Sequence, residues 1–340
     1  MEKTDRNNPL SEIKVTPLAA ESLGVRSMCT LVETPDVKVI LDAGISLAPF
    51  RFSLPPHPIE FQTIAHLRKA IAEAADKAQV TTISHYHFDH HTPSFEDWVV
   101  NWTQGEETAR QIYQNKIVLA KNPKEKINAS QRERAWMFQK TGGKHAKVLE
   151  AADGKTFTYG KTSLQFSEAV VHGSEMLGWV IMTTVEYEGE RFMFAPDVQG
   201  PMSVHTLELI LDAKLTAIML GGPPLYLEGL RVDPAKLELG LRNLERIVDA
   251  VPLVIVEHHT LRDESWKQKM ENVFRKTFLS GHRIVTAAEY SGKQNFFLES
   301  RRKQLYDKRP PSTEFKVWMK TLNNSSIAKP PLQDENTCLS

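Results

Sequence analysis

The chain has 340 residues, of which 41% are hydrophobic and 25% charged. That balance is ordinary for a globular protein and excludes extended disorder, collagen-like repeats and a coiled coil. Lys plus Arg and Asp plus Glu number 42 each, so the chain as a whole is neither a basic nucleic-acid coat nor an acidic tail.

In chain order, residues 25–33 and 37–41 are apolar, β-branched runs split by Thr34-Pro35-Asp36, a turn signal that predicts two strands. The second run ends in Asp42-Ala43-Gly44. Four prolines between 49 and 58 mark a loop. Phe61, Ile64, Leu67, Ile71, Ala74 and Ala78 then recur at helical spacing and predict a helix over 61–79. A short strand is expected over 80–84 and another over 116–120. A helix is expected over 130–140, with Ser130 as N-cap and Glu133 completing a capping box. Residues 147–195 read mostly as strand, with a hairpin turn at Gly189. The last third alternates: strand 215–220, helix 234–250, strand 251–256, helix 264–278 and strand 283–287. From residue 309 onward, Pro310, Pro311, Pro330 and Pro331 suggest a poorly packed, flexible tail over 309–340. The expected organisation is one α/β domain over 1–308, with helices outside stacked sheets and a basic helical insertion near 116–147.

Cellular setting is read from what is missing. Residues 1–10 are polar and lack the apolar core of a secretory signal. No run approaches the roughly 18 apolar residues of a membrane span. Cys338 is third from the end, where a prenylation box needs it fourth. Two cysteines, Cys29 and Cys338, cannot build a disulfide framework or a thiolate zinc site. A cytoplasmic protein with reduced thiols and no membrane partner is expected.

Twelve histidines stand out. Residues 84–91 read Ser-His-Tyr-His-Phe-Asp-His-His, directly after a strand. In an extended segment alternate side chains share a face, so His85 and His87 can reach one metal ion together. If the chain then turns, Asp89 and His90 can reach a second, and paired ions in hydrolytic sites sit about 3.5–4 Å apart. Further polar residues close apolar runs beside Gly or Pro: Asp42, His172, Asp197 and the pair His258-His259. Strand ends are where sites are mounted on a rigid scaffold. Imidazole and carboxylate without thiolate suit two divalent ions, Zn²⁺ first, with Fe²⁺ or Mn²⁺ compatible. His91 is expected to orient the loop by hydrogen bonding, and Cys29 to act as a small buried hydrophobe.

The order of these residues resembles the metallo-β-lactamase superfamily over roughly residues 12–295. More narrowly, Asp89-His90-His91, Ser130-Gln131-Arg132, Asp197-Val198-Gln199-Gly200-Pro201, Gly222-Pro223-Pro224 and residues 258–263 resemble an uncharacterised, largely archaeal branch of predicted hydrolases. The resemblance implies a four-layer αββα sandwich with a dinuclear metal site at the sheet edge. It implies that His85, His87 and His172 hold one ion, that Asp89, His90 and either His259 or His258 hold the other, and that Asp197 bridges both. Two histidines adjacent in a strand point to opposite faces, and the reading leans to His259, leaving the other as a leaving-group acid or a supporting contact. Asp89 and Asp197 would orient a metal-bridging hydroxide, and Asp42 would sit behind the ligands and order the His loop.

The function implied is a metal-dependent hydrolase of a phosphodiester, lactone, thioester or amide. An iron-dependent redox enzyme on the same scaffold is the alternative, and a non-catalytic binding protein is a third. Residues 116–147 carry nine Lys or Arg against two acids, a net +7, with Trp136 and Phe138 among them. That patch is either a solvated face or an arm for an anionic substrate such as nucleic acid, which would make the protein a phosphodiesterase or nuclease. Substrate and oligomeric state are not encoded legibly.

Overall fold

The computed structural model describes residues 8–322 and 328–332. The first half of the chain gives strands β1 (Lys14–Pro17), β2 (Thr30–Glu33) and β3 (Lys38–Leu41), helix α1 (Pro58–Ala75), β4 (Val80–Ile83), α2 (Glu106–Tyr113), β5 (Ile117–Ala120), α3 (Ala129–Lys140) and β6 (Val148–Ala151). The second half gives β7 (Thr156–Tyr159), β8 (Thr162–Phe166), β9 (Thr183–Tyr187), β10 (Glu190–Ala195), α4 (Val204–Asp212), β11 (Ala217–Gly221), α5 (Pro234–Ala250), β12 (Leu253–Glu257), α6 (Glu271–Ser280), β13 (Arg283–Val285) and α7 (Thr313–Met319). Strands β1 to β6 lie in sequence order in one sheet, and β13 to β7 in reverse order in the other.

Strict alternation along the strands stacks these parts into four layers. Val39 and Leu41 face the inter-sheet core, where they meet Phe192, Phe194, Met219 and Ile255. Ile40, Ile83 and Val118 face the other way, onto Ile64 and Ile71 of α1, Ile112 of α2 and Phe138 of α3. On the far sheet, Met193, Ile218 and Val254 pack on Ile210 of α4, on Leu244 and Ile247 of α5 and on Val273 of α6. The result is helix, sheet, sheet, helix: the αββα sandwich of the metallo-β-lactamase fold. The central strands β3, β4 and β5 run parallel, as do β10, β11 and β12. Open parallel sheets build sites beyond the carboxyl ends of their strands, and here Asp42, His85, Asp197 and His258 all follow such ends.

Several local expectations shift. The first helix begins at Pro58, within the expected loop. His57 caps it by accepting from Ile59 N–H at 3.2 Å, and Glu60 returns a bond to His57 N–H at 2.8 Å. Proline suits the first helical turn because its missing N–H is not needed there. The cap of α3 is Asn128, whose Oδ1 accepts from Gln131 N–H at 2.9 Å, and Ser130 lies inside the helix. The expected strand at 25–33 begins at Thr30. The expected helix at 264–278 is broken into Trp266–Lys269 and α6. Helices α2 and α4 were not foreseen.

Two larger expectations are corrected. Residues 116–147 are not an insertion: they contain β5 and α3, the crossover that leads to the parallel neighbour β6. The segment from 309 is not poorly packed where it is described. Phe315 and Trp318 of α7 are buried, and both rings touch Phe61 of α1, at centroid distances of 6.0 and 5.5 Å. The rest of that expectation, residues 323–327 and 333–340 with Cys338, lies outside the described residues. No helix among the described residues is long and apolar enough to cross a membrane.

Candidate metal centre

The histidine loop hangs from the end of β4 and is held by backbone contacts. His87 C=O accepts from both His90 N–H (3.0 Å) and His91 N–H (3.1 Å), which turns the chain back on itself. The loop lies so close to Gly44 that a Cβ there would stand 2.3 Å from the nitrogens of His90 and His91. Only glycine permits that approach. Asp42 (φ 53°), Asp197 (φ 50°) and His258 (φ 66°), each just past a strand end, lie in the left-handed region. Such strain costs about 1–3 kcal/mol per residue and collects at functional sites.

The side chains converge. Ligand atoms of His85, His87, His172 and Asp197 lie within 4.8 Å of one another, and so do those of Asp89, His90 and His258, of Asp197, His258 and His259, and of Asp42, His85 and His90. Asp197 is the centre. Its Oδ2 lies 2.8 Å from His172 Nε2 and 3.3 Å from Nε2 of both His85 and His90. Its Oδ1 lies 3.3 Å from His258 Nε2 and 3.4 Å from His259 Nε2. Each oxygen thus addresses a different set of imidazoles. His258 Nε2 is also 3.3 Å from Asp89 Oδ2. His91 belongs to none of these groups, and its Nδ1 lies 2.9 Å from His87 O, inside the loop.

The donor set fits divalent cations on the structure's own terms. His90 Nε2 and Asp197 Oδ1 are buried and lack a hydrogen-bond partner, a costly condition for polar atoms unless something else binds them. His85 Nε2 and His87 Nδ1 face each other at 3.0 Å. Burial, with the charges of neighbouring histidines, lowers His85 well below its usual range and pushes His87 down to about 3. Burial alone would raise Asp89 and Asp197, yet the histidines around them, His258 foremost, hold both well below the usual carboxylate range. Lone pairs on His85 and His87 and charge on the carboxylates are what ligation requires. Burial would lower His90, whereas Asp197, Asp42 and Asp89 around it hold that ring well above its usual range.

A layer of supporting contacts lies behind. Asp42 is fully buried. It accepts from Ser84 N–H (2.8 Å) and from the Ser84 hydroxyl, and its Oδ2 is 2.8 Å from His90 Nδ1. That leaves His90 Nε2 pointing at Asp197. Arg262 donates to Glu21 at 2.9 Å and to His259 Nδ1 at 3.2 Å. A guanidinium only donates, so His259 Nδ1 carries no proton and Nε2–H faces Asp197. Arg262 also lies 3.2 Å from both ring nitrogens of His258. Arg262 is absent from the sequence-predicted site residues, although it follows His259 by three residues and one turn of the 3₁₀ helix His258–Arg262 returns it to the same face. Glu21 and Glu257 carried no local signal. Arg134 of α3 also belongs here: its guanidinium sits 4.9 Å from the Phe88 ring centroid and it acts electrostatically on Asp89 and His87. Arg132 is exposed.

Comparison with known proteins places this geometry in a lineage. The chain is 40% identical over 295 residues to a UPF0282 protein of Methanopyrus kandleri, a match covering 86% of this chain and 99% of that protein. It is 38% identical over 309 residues to a UPF0282 protein of Korarchaeum cryptofilum, covering 90% and 99%. Among solved structures it is similar to the metallo-β-lactamase fold protein YhfI from Bacillus subtilis, with TM-score 0.48 and 12% identity over 84% of this chain and 99% of that one. No protein-family model matches the chain.

Proposed function

The chain belongs to the UPF0282 family, and from that premise, on this fold, we propose that it is a metal-dependent hydrolase. The observation that carries the reading is Asp197, buried among five imidazoles with Oδ2 towards His85, His90 and His172 and Oδ1 towards His258 and His259. His85, His87, His172 and Asp197 would hold one ion. Asp89, His90, His258 and Asp197 would hold the other. This revises the sequence-based lean towards His259, because His258 and not His259 groups with Asp89 and His90. Nitrogen and oxygen donors without thiolate favour zinc. When bound, such ions polarise a carbonyl or phosphoryl oxygen and lower the pKa of water towards neutrality.

The protein's own part is positioning and electrostatic stabilisation. Asp42 fixes the ring of His90. Asp89 and Asp197, both ionised, would orient the attacking water. His259, held neutral by burial and by Arg262 with its Nε2–H towards the site, would donate a hydrogen bond to charge that develops on the substrate. Arg134 at the rim favours an anionic substrate, with nucleic acid one such class. A cytoplasmic setting fits Cys29, a free thiol buried in the core.

The test is metal analysis of purified protein followed by hydrolysis of bis-p-nitrophenyl phosphate, lactones, thioesters and single-stranded nucleic acid. Two equivalents of zinc with turnover, and loss of both in His87→Ala, are expected. Iron with a visible absorption band and no hydrolysis would overturn the reading in favour of redox chemistry.

A further inference from the structure

A second cleft, of about 430 Å³, adjoins the metal centre on the side of His259. Tyr226 and Arg262 form the partition: both line the cleft, and both touch His259 Nδ1, at 3.3 and 3.2 Å. The volume suits a small ligand. Its charge is uneven once internal pairs are removed. Arg262 is engaged by Glu21 at 2.9 Å. Asp263 is engaged by Lys269 at 3.0 Å, whereas Glu264 keeps its charge, accepting only from the neutral Gln304 amide at 2.8 Å, so the lining retains two cations, Arg51 and Lys303, against one anion. Arg51 and Lys303 form no ion pair among the described residues.

Arg51 is also stiffened. Its guanidinium carbon lies 4.8 Å from the Phe52 ring centroid and 4.9 Å from that of Tyr226. One nitrogen, Nη2, donates to Arg262 C=O at 3.2 Å, and Nε is buried without a partner. An arginine held between rings keeps its hydrogen-bonding edge for a planar or tetrahedral oxyanion and loses little freedom on binding one.

We propose that this cleft binds an oxyanionic group, carboxylate or phosphoryl, carried by a small organic substrate at a distance from the bond that is cleaved. Arg51 receives the anion through its guanidinium edge, and Lys303 adds a second positive charge from the rim. His259 and the candidate ligands stand on the other side of Tyr226, so a substrate anchored at Arg51 would have to extend past the Tyr226 ring to bring its far end to the metals. The proposal rests on the hydrolase reading for that last step alone.

Binding of benzoate and of phenylphosphonate to the metal-loaded protein, measured by titration calorimetry, tests it, with the two probes separating carboxylate from phosphoryl recognition. At least one probe should bind, and Arg51→Met should weaken that probe at least about tenfold. Lys303→Met, at an exposed side chain whose loss does not threaten folding, should weaken it several-fold. His87→Ala should leave it unchanged. Unaltered affinity in both cationic variants, no binding of either probe, or affinity lost in His87→Ala instead would overturn the proposal. Absent hydrolysis with Arg51-dependent binding retained would remove the hydrolase reading and leave the cleft standing.

Discussion

At the scale of single residues, His258 and His259 show how neighbours in sequence acquire different chemistry. Both rings face Asp197 Oδ1 at nearly equal distance. They differ in what lies behind them. The Arg262 guanidinium reaches both rings, but His258 Nε2 has Asp89 Oδ2 at 3.3 Å, whereas Nδ1 of His259 also meets the Tyr226 hydroxyl at 3.3 Å. His258→Ala should therefore lower metal stoichiometry. His259→Ala should keep both ions and lose about 10²–10³ in turnover, the range for removing one hydrogen-bond donor to developing charge. Mass-spectrometric metal counts beside kcat decide, and a metal loss confined to His259→Ala would reverse the roles. Asp42→Asn keeps the shape but weakens the hold on His90, so metal affinity should fall about 10- to 100-fold, measured by competition with a chelating dye. Asp42, His85, His87, Asp89, His90, His172 and Asp197 were all legible as candidates, because each ends an apolar run or sits in the dense loop. Tyr226, Ser84 and Glu21 were not, since nothing near them in sequence shows what they touch, and Arg262 was legible only through its spacing from the histidine pair.

At the scale of elements, the strands were read more surely than the helix ends. Buried β-branched runs announce themselves, whereas caps depend on which side chain finds a free N–H. Helix α3 shows the same limit for charge. Its basic residues look equivalent in sequence, yet Arg134 lies over Phe88 beside Asp89 and Arg132 faces solvent. Arg134→Ala should raise KM for an anionic substrate several-fold, while Arg132→Ala leaves it unchanged. Equal effects would return α3 to the status of a solvated face. Helix α7 escaped detection because prolines frame it and its seven residues span only about two turns. Trp318→Ala should cost about 3–5 kcal/mol, since its ring packs on Phe61 and its indole N–H donates to Ala328 C=O at 2.7 Å. A urea midpoint unchanged from the parent would show that α7 contributes nothing to the fold.

At the scale of the whole molecule, buried ion pairs tie distant parts of the chain together beneath the site. Arg26 binds Glu299 through two bonds of 2.6 Å, Arg262 binds Glu21, and Arg302 binds Glu60 at 2.7 Å. Burial would raise the Glu299 carboxyl, but the charge and hydrogen bonds of Arg26, with Arg262 and Arg302 nearby, hold it at about 2, below its ordinary 4.5. A carboxylate depressed on folding contributes stability in full above its unfolded value and loses it as pH falls through the folded one. Glu299→Gln leaves the half-buried Arg26 without its charged partner, a loss of about 1–3 kcal/mol near neutrality. Denaturant titrations of parent and variant should converge between pH 4.5 and 2. A gap that stays constant with pH would show that the pair is not the source.

The sequence by itself determined the layered α/β architecture, the strands that end in chemistry and nearly all the side chains gathered at the metal centre. Those features are local: alternation, strand-end glycines and a dense histidine loop are visible within a few residues. Only the tertiary structure decided which late histidine joins Asp89, which arginine of α3 faces the site, and that Arg51 and Lys303 meet beside Tyr226. Those are contacts between residues far apart in the chain, and they follow from how two sheets stack, which no short window of sequence contains.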